Sequence, residues 1–320
     1  MKFTVAIPLV ASIVSFVLTI LALLAGSHKG FMEDYHVVMV NTSTLGQNFL
    51  ANLADGSSSG LFSSIEASAT AVIGSVESEA ASILNDIGND VADKLSKELG
   101  IEQFYSFHVL DLCQGDYAPN ATASGAWLNI SSVLTTGAAS MDMSDLLNKQ
   151  LSLGPFNVSL SDLGFTQKLE QKLSKLPTVF EALAALYIVS TIFTGLSILG
   201  AAAGFFLIPQ KGRKVLVANL GLALTAALVL FIGSLLYTVG ATEMVKKIRE
   251  ENADDIGLEV TVGSKFQGLT WAAFALMVVA TGYWTWELIA AIRARRRNQR
   301  TRGKVEKHSM DSSWDRRNYR

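Results

Sequence analysis

The chain has 320 residues, half of them apolar and only 17% charged, with a mean hydropathy of +0.34. Soluble domains carry about 25% charged residues, so much of the apolar content here lies outside an ordinary core. The 26 basic and 28 acidic residues nearly cancel, a basic nucleic-acid binder would need a basic excess somewhere accessible, and a single cysteine excludes an intramolecular disulfide framework or a multi-cysteine zinc site.

Val5 to Gly26 is the first of four uncharged runs. At 1.5 Å per residue it reaches about 33 Å, enough to cross a hydrocarbon core of about 30 Å. Lys2 before it and Ala25-Gly26-Ser27 after it also fit a signal peptide, against which stand the length of the run and its single basic residue. Further uncharged runs extend from Ala182 to Gln210, Val215 to Thr242 and Phe266 to Trp286. Four runs of this length predict four transmembrane helices rather than buried helices of a soluble protein.

Basic residues near span ends are retained on the cytoplasmic side. The turn after the second run holds Lys211, Arg213 and Lys214, and the tail from Arg293 carries a net charge of +8, so both are expected inside. The segment from Ser27 to Glu181 has no arginine and a net charge of −11, and Glu243 to Lys265 carries −2, so both are expected outside. The four glycosylation sequons, at Asn41, Asn120, Asn129 and Asn157, all fall in the acidic loop. The expected organisation is a first transmembrane helix at 1–26, an extracellular glycosylated loop domain at 27–181 and a second transmembrane helix at 182–210. A cytoplasmic turn at 211–214, a third helix at 215–242, a second extracellular loop at 243–265, a fourth helix at 266–290 and a basic cytoplasmic tail at 291–320 follow. Both termini are then cytoplasmic. The fold class expected is an all-α membrane protein, a four-transmembrane-helix bundle with a large, mainly helical extracellular first loop.

Within that loop, apolar residues from Phe62 to Leu95 recur every three or four positions, the spacing of an amphipathic helix, interrupted by Gly74 and Gly88. The stripe packs on the rest of the loop, or it meets a neighbouring molecule or the outer leaflet. After Gly100 the pattern changes to aromatic and β-branched residues, and a short strand, a turn or a continuation of the helix all fit. The run Phe104-Tyr105-Ser106, His108, Cys113, Gly115 and Tyr117, followed by the sequons at Asn120 and Asn129, resembles the fungal family that contains the cortical-patch tetraspans of eisosomes and the PalI pH-response regulators. The layout of one span, a large glycosylated loop, three clustered spans and a basic tail is similar over nearly the whole chain. The resemblance implies a plasma-membrane tetraspan of the cell cortex with roles in endocytosis, cell-wall integrity and morphogenesis. Its alternatives are a PalI-like accessory of ambient-pH signalling and, ranked lower, a claudin-like or calcium-influx regulator; the short tail places the pH-signalling reading second.

One departure from the family pattern stands out. The resemblance implies a second cysteine shortly after the later sequon, usual in members with this pattern and giving a claudin-like pair able to form a disulfide, whereas Asn129-Ile-Ser-Ser-Val133-Leu134 has none. Cys113 is therefore either a buried small residue or an outward thiol available for a bridge between chains. His108 has no partner at ligand spacing and is read as a packing residue.

Ionisable residues within spans usually mark transport or catalysis. The first three runs contain none, and Glu287 sits at the inner end of the fourth beside Trp286. No paired carboxylates, nucleophile elbow, phosphate loop or zinc-protease motif occurs, so neither an enzyme nor a cofactor is expected. Gly200-Ala-Ala-Ala-Gly204 is a GxxxG that lets helix backbones approach, within the bundle or in a homo-oligomer. Arg293, Arg295, Arg296, Arg297, Arg300 and Arg302 anchor the tail, with attraction to anionic inner-leaflet lipid of about 1 kcal/mol per residue near the surface. The partners expected are membrane lipids and cortical or eisosome proteins, not nucleic acid.

Overall fold

The computed structural model describes residues 5–43, 101–119, 125–134, 167–168, 171, 174–211, 213–250 and 257–318. In chain order these form α1 (Ala6–Leu24), β1 (Val38–Asn41), β2 (Phe104–Phe107), β3 (Leu112–Ala118), β4 (Trp127–Leu134) and α2 (Leu176–Lys211). Next come α3 (Arg213–Leu235), a π-helical turn (Leu236–Ala241), α4 (Thr242–Glu250), β5 (Glu259–Val262) and α5 (Ser264–Asn318). Among the described residues, four helical segments are long and apolar enough to cross a membrane: Ala6–Leu24, Pro177–Gly204, Arg213–Glu250 and Ser264–Gln299. Pro8 and Pro177 sit in the first turns of α1 and α2, where a missing backbone N–H costs no helical bond.

The chain divides into two compact units. The first comprises residues 1–18, 189–231 and 272–320. Small residues let its helices meet closely. Ser12 of α1 and Ser197 of α2 share a hydroxyl hydrogen bond of 3.2 Å, and the Ser15 hydroxyl donates to the Ala273 carbonyl of α5 at 2.9 Å. The rings of Phe231 of α3 and Phe274 of α5 meet tilted at 39°, with centroids 5.3 Å apart. These contacts link α1 to α2 and α5, and α5 to α3. Hydroxyl pairs and small-residue contacts are what hold helices together where lipid removes the hydrophobic drive. The outward positions are apolar, among them Ile7, Val10, Ile192, Leu199, Leu228 and Val279.

The second unit comprises residues 19–188 and 232–271 and contains a five-stranded antiparallel sheet in the order β4-β3-β2-β1-β5. The expectation of an all-α chain is corrected here. Its β1 and β5 are four-residue strands from opposite ends of the sequence, paired from Val38 opposite Val262 to Asn41 opposite Glu259. Each alone is too short to announce a strand; their stability comes from pairing and from burial of Val38, Val40 and Val260. The residues that follow Gly100 are strand, not helix, whereas the helix expected between Leu61 and Leu99 lies outside the described residues. The third spanning helix continues through the π turn into α4, so helix and strand occupy much of the described part of 243–265.

Three contacts root the sheet in helix ends. Gly26, with φ 76°, ends α1 in the left-handed region that favours glycine. Gly263 joins β5 to α5: its N–H donates to the Val37 carbonyl at 3.1 Å, and its carbonyl accepts the first helical bond, from Gln267 N–H at 3.2 Å. A Cβ on Gly263 would lie 1.7 Å from the His36 carbonyl oxygen, so no other residue fits this elbow. The π turn carries Tyr237, fully buried, whose hydroxyl donates to the Gly263 carbonyl at 2.6 Å. π turns occur mostly as single turns inside longer helices, as here between α3 and α4.

Candidate functional site

The 104–117 motif is the central hairpin of the sheet. Its strands β2 and β3 pair with Phe104 opposite Gly115, Ser106 opposite Cys113 and Phe107 opposite Leu112. Phe104, Cys113 and Ile130 form a fully buried cluster against which Tyr117, Leu128 and Val133 pack. The Phe104 and Tyr117 rings lie 5.3 Å apart, and burial pushes the Tyr117 phenol up to about 12. On the other side of β2, Phe107 stacks on Phe180 of α2 at 5.5 Å. Tyr105 is buried and its hydroxyl accepts the Glu102 N–H at 3.2 Å, while the Ser106 hydroxyl reaches the Cys113 carbonyl at 3.5 Å. Burying each such aromatic contributes on the order of 1.5–3 kcal/mol, so the motif is what holds the sheet together.

Gly115 has a steric reason. The register between β3 and β4 shifts at Gln114/Gly115, where β4 has one residue more than β3. A Cβ at Gly115 would come within 2.2 Å of the Asn129 carbonyl oxygen, which is backbone and has no rotamer with which to yield.

His108 and Cys113 both close on Gly26. A Cβ on Gly26 would lie 2.3 Å from the His108 ring, which is fully buried against that glycine. Neither ring nitrogen makes a hydrogen bond of good geometry. Burial, and then the nearby His36, hold the imidazole neutral, bringing it down to about 4 against the opposing effect of the Tyr35 carbonyl. Backbone N–H of His108 donates to the Asp111 carbonyl at 2.8 Å, closing the β2–β3 turn, and burial pushes the Asp111 carboxyl up. Cys113 is free and fully buried, and its thiol donates to the Gly26 carbonyl at 3.3 Å. Burial, and then the Asp111 charge, push that thiol up to about 12, so it stays protonated and unreactive at neutral pH. Of the two environments the sequence leaves open for this cysteine, the structure has the buried one. The β3–β4 register sets Val133 directly opposite it.

The other sequence-derived sites are dispersed. Asn41 is half-buried at the end of β1, its amide nitrogen 3.5 Å from the Glu259 carboxylate and its amide oxygen accepting the Ser43 N–H at 3.0 Å. Asn129 is exposed on β4, and Asn120 and Asn157 lie outside the described residues. Gly200 faces Asn219 of α3, whose amide oxygen would be 2.4 Å from an added Cβ, and Gly204 is buried. Arg293, Arg295, Arg296 and Arg297 are exposed on α5, which also carries Arg300 and Arg302. Among the described residues, no three His, Cys, Asp or Glu side chains are grouped to hold a metal ion.

The residues that reading the sequence missed are Gly26, Gly263, Tyr237 and Ile130, which place the motif rather than belong to it. A glycine immediately after an apolar run and another before one were the available signals for the first two. No curated protein and no solved structure matches the chain. Residues 4–281, a stretch that takes in the entire sheet and most of the apolar length of the four spanning helices, match the SUR7/PalI family, and to that family of membrane tetraspans the chain belongs.

Proposed function

We propose that this chain is a non-enzymatic plasma-membrane tetraspan that organises cortical membrane domains of the eisosome type. Its sheet unit faces the outside and its basic tail faces anionic inner-leaflet lipid and cortical proteins. The observation that carries the reading is the family match over residues 4–281. The −11 charge of the 27–181 segment, the four sequons within it and the +8 tail support the orientation. Buried hydroxyls and small residues between the helices suit a scaffold packed on protein rather than a pathway lined by charge.

Live imaging of a tagged copy in a fungal cell tests the proposal. Stable cortical patches are expected. A diffuse membrane signal, with loss of the alkaline response on deletion, replaces this reading by that of a PalI-like accessory of pH signalling, and retention in internal membranes overturns both.

A further inference from the structure

Among the described residues of the sheet unit, one large aromatic side chain stands mostly in the open. Trp127, the first residue of β4, is 62% exposed, and every other large apolar residue exposed among those described stands on a helix. A tryptophan left open on a sheet leaves considerable apolar area in water, which calls for a cover.

The register names that cover. In β4, Leu128 pairs with Tyr117 and Ile130 with Gly115, and both side chains turn toward the Phe104–Cys113 cluster. Strand side chains alternate, so Trp127 and Asn129 share the opposite face, about 7 Å apart along it. Both are exposed. Asn129-Ile130-Ser131 is a sequon, and the side-chain contact at Asn129 engages its amide oxygen, from Lys29 Nζ at 3.5 Å, not the nitrogen that a sugar would occupy. Asp116 stands directly across from Asn129 on β3, on the same face. At Asn41, by contrast, the nitrogen points to Glu259 and the next two sequon residues, Thr42 and Ser43, are buried.

We propose that Asn129 carries an N-linked glycan whose first N-acetylglucosamine lies flat on the Trp127 indole. The amide nitrogen forms a bond to the sugar C1 and loses a proton. The bond from C1 to a lipid-linked diphosphate donor breaks, and the diphosphate leaves with the electron pair. The C–H face of the pyranose then covers the electron-rich indole face, and the Asp116 carboxylate is placed to accept from the sugar's N-acetyl N–H or a hydroxyl. The glycan rests on the outward orientation proposed for the sheet unit.

The test is a double-mutant cycle on the full chain, made in a glycosylating eukaryotic host and purified in detergent: native, Trp127→Ala, Asn129→Gln and the pair. Electrophoretic mobility before and after glycosidase treatment is read with the melting midpoint of the glycosylated species. Asn129→Gln is expected to remove one glycan's worth of mobility shift. It should lower the midpoint by about 2–4 °C when Trp127 is present and leave it unchanged in the Trp127→Ala chain, with Trp127→Phe keeping most of the coupling. If glycans are found only at other sequons, this proposal fails and the orientation stands. If the native chain shows no shift at any sequon, both fail. An equal loss of midpoint in the Trp and Ala chains overturns the stacking and leaves Trp127 to another cover, such as lipid or protein.

Discussion

Cys113 and Val133 face each other across β3 and β4, the cysteine inside the buried cluster and the half-buried valine packed against it. The register sets the two side chains opposite each other on neighbouring strands, so a cysteine in place of the valine would face the first one. The valine fills the space, so the hairpin core keeps its packing without the covalent link. Val133→Cys is therefore expected to form a bond with Cys113 during expression into an oxidising compartment. Closing a loop of about twenty residues should stabilise the sheet by about 3 kcal/mol. A raised melting midpoint that falls back on reduction, together with loss of thiol labelling after denaturation, checks this; two free thiols in the denatured variant would show that the two side chains do not meet. The same residue scale explains the two closest approaches in the sheet unit. Gly115 lies under the Asn129 carbonyl and Gly263 under that of His36, and in both cases the obstacle is backbone.

Among the elements, the spanning helices were legible because an uncharged run of twenty residues seldom folds as anything but a span. Of the strands, only the stretch after Gly100 was open to that reading, as one of three; the rest were hidden for reasons that differ from one to the next. β1 and β5 have four residues each and depend on a partner at the other end of the chain. β3 contains Gly115 and Asp116, poor strand formers that a register shift and an open face accommodate. The motif residues were legible as a set, yet their role as sheet core became visible only once Ile130 and Gly26 were placed beside them. Between α2 and α3 the GxxxG has a partner within the chain, because Gly200 faces Asn219. Gly200→Val forces methyl groups onto that amide and should cost about 1–3 kcal/mol. Adding Asn219→Ala should recover part of the loss, since the obstructing side chain is gone. Midpoints of the two singles and the double variant in detergent decide it; strict additivity would mean that Gly200 meets something other than Asn219.

At the scale of the whole molecule, charge and hydropathy are sums over segments of opposite character. The near-zero net charge joins a strongly acidic 27–181 segment to a strongly basic tail, and the average hydropathy joins four spans to polar segments. The sheet has a similar long-range economy. Its strand β1 lies between β2 and β5, and these neighbours come from residues beyond 100 and beyond 250. With α1 packed through Ser12 and Ser15 as well, the N-terminal segment is held by contacts spread along both its helix and its strand. The consequence is that the chain can be cut and remain one particle. A protease site placed in Asp55-Gly-Ser-Ser-Ser-Gly60 should yield two fragments that separate in denaturing gels and elute together from a size-exclusion column in mild detergent; separate elution would show that β1 is held only by its tether. If the pieces also assemble when made as two polypeptides, backbone continuity across that stretch is a convenience of synthesis, and the protein becomes a natural split reporter whose reassembly signals that its sheet has formed.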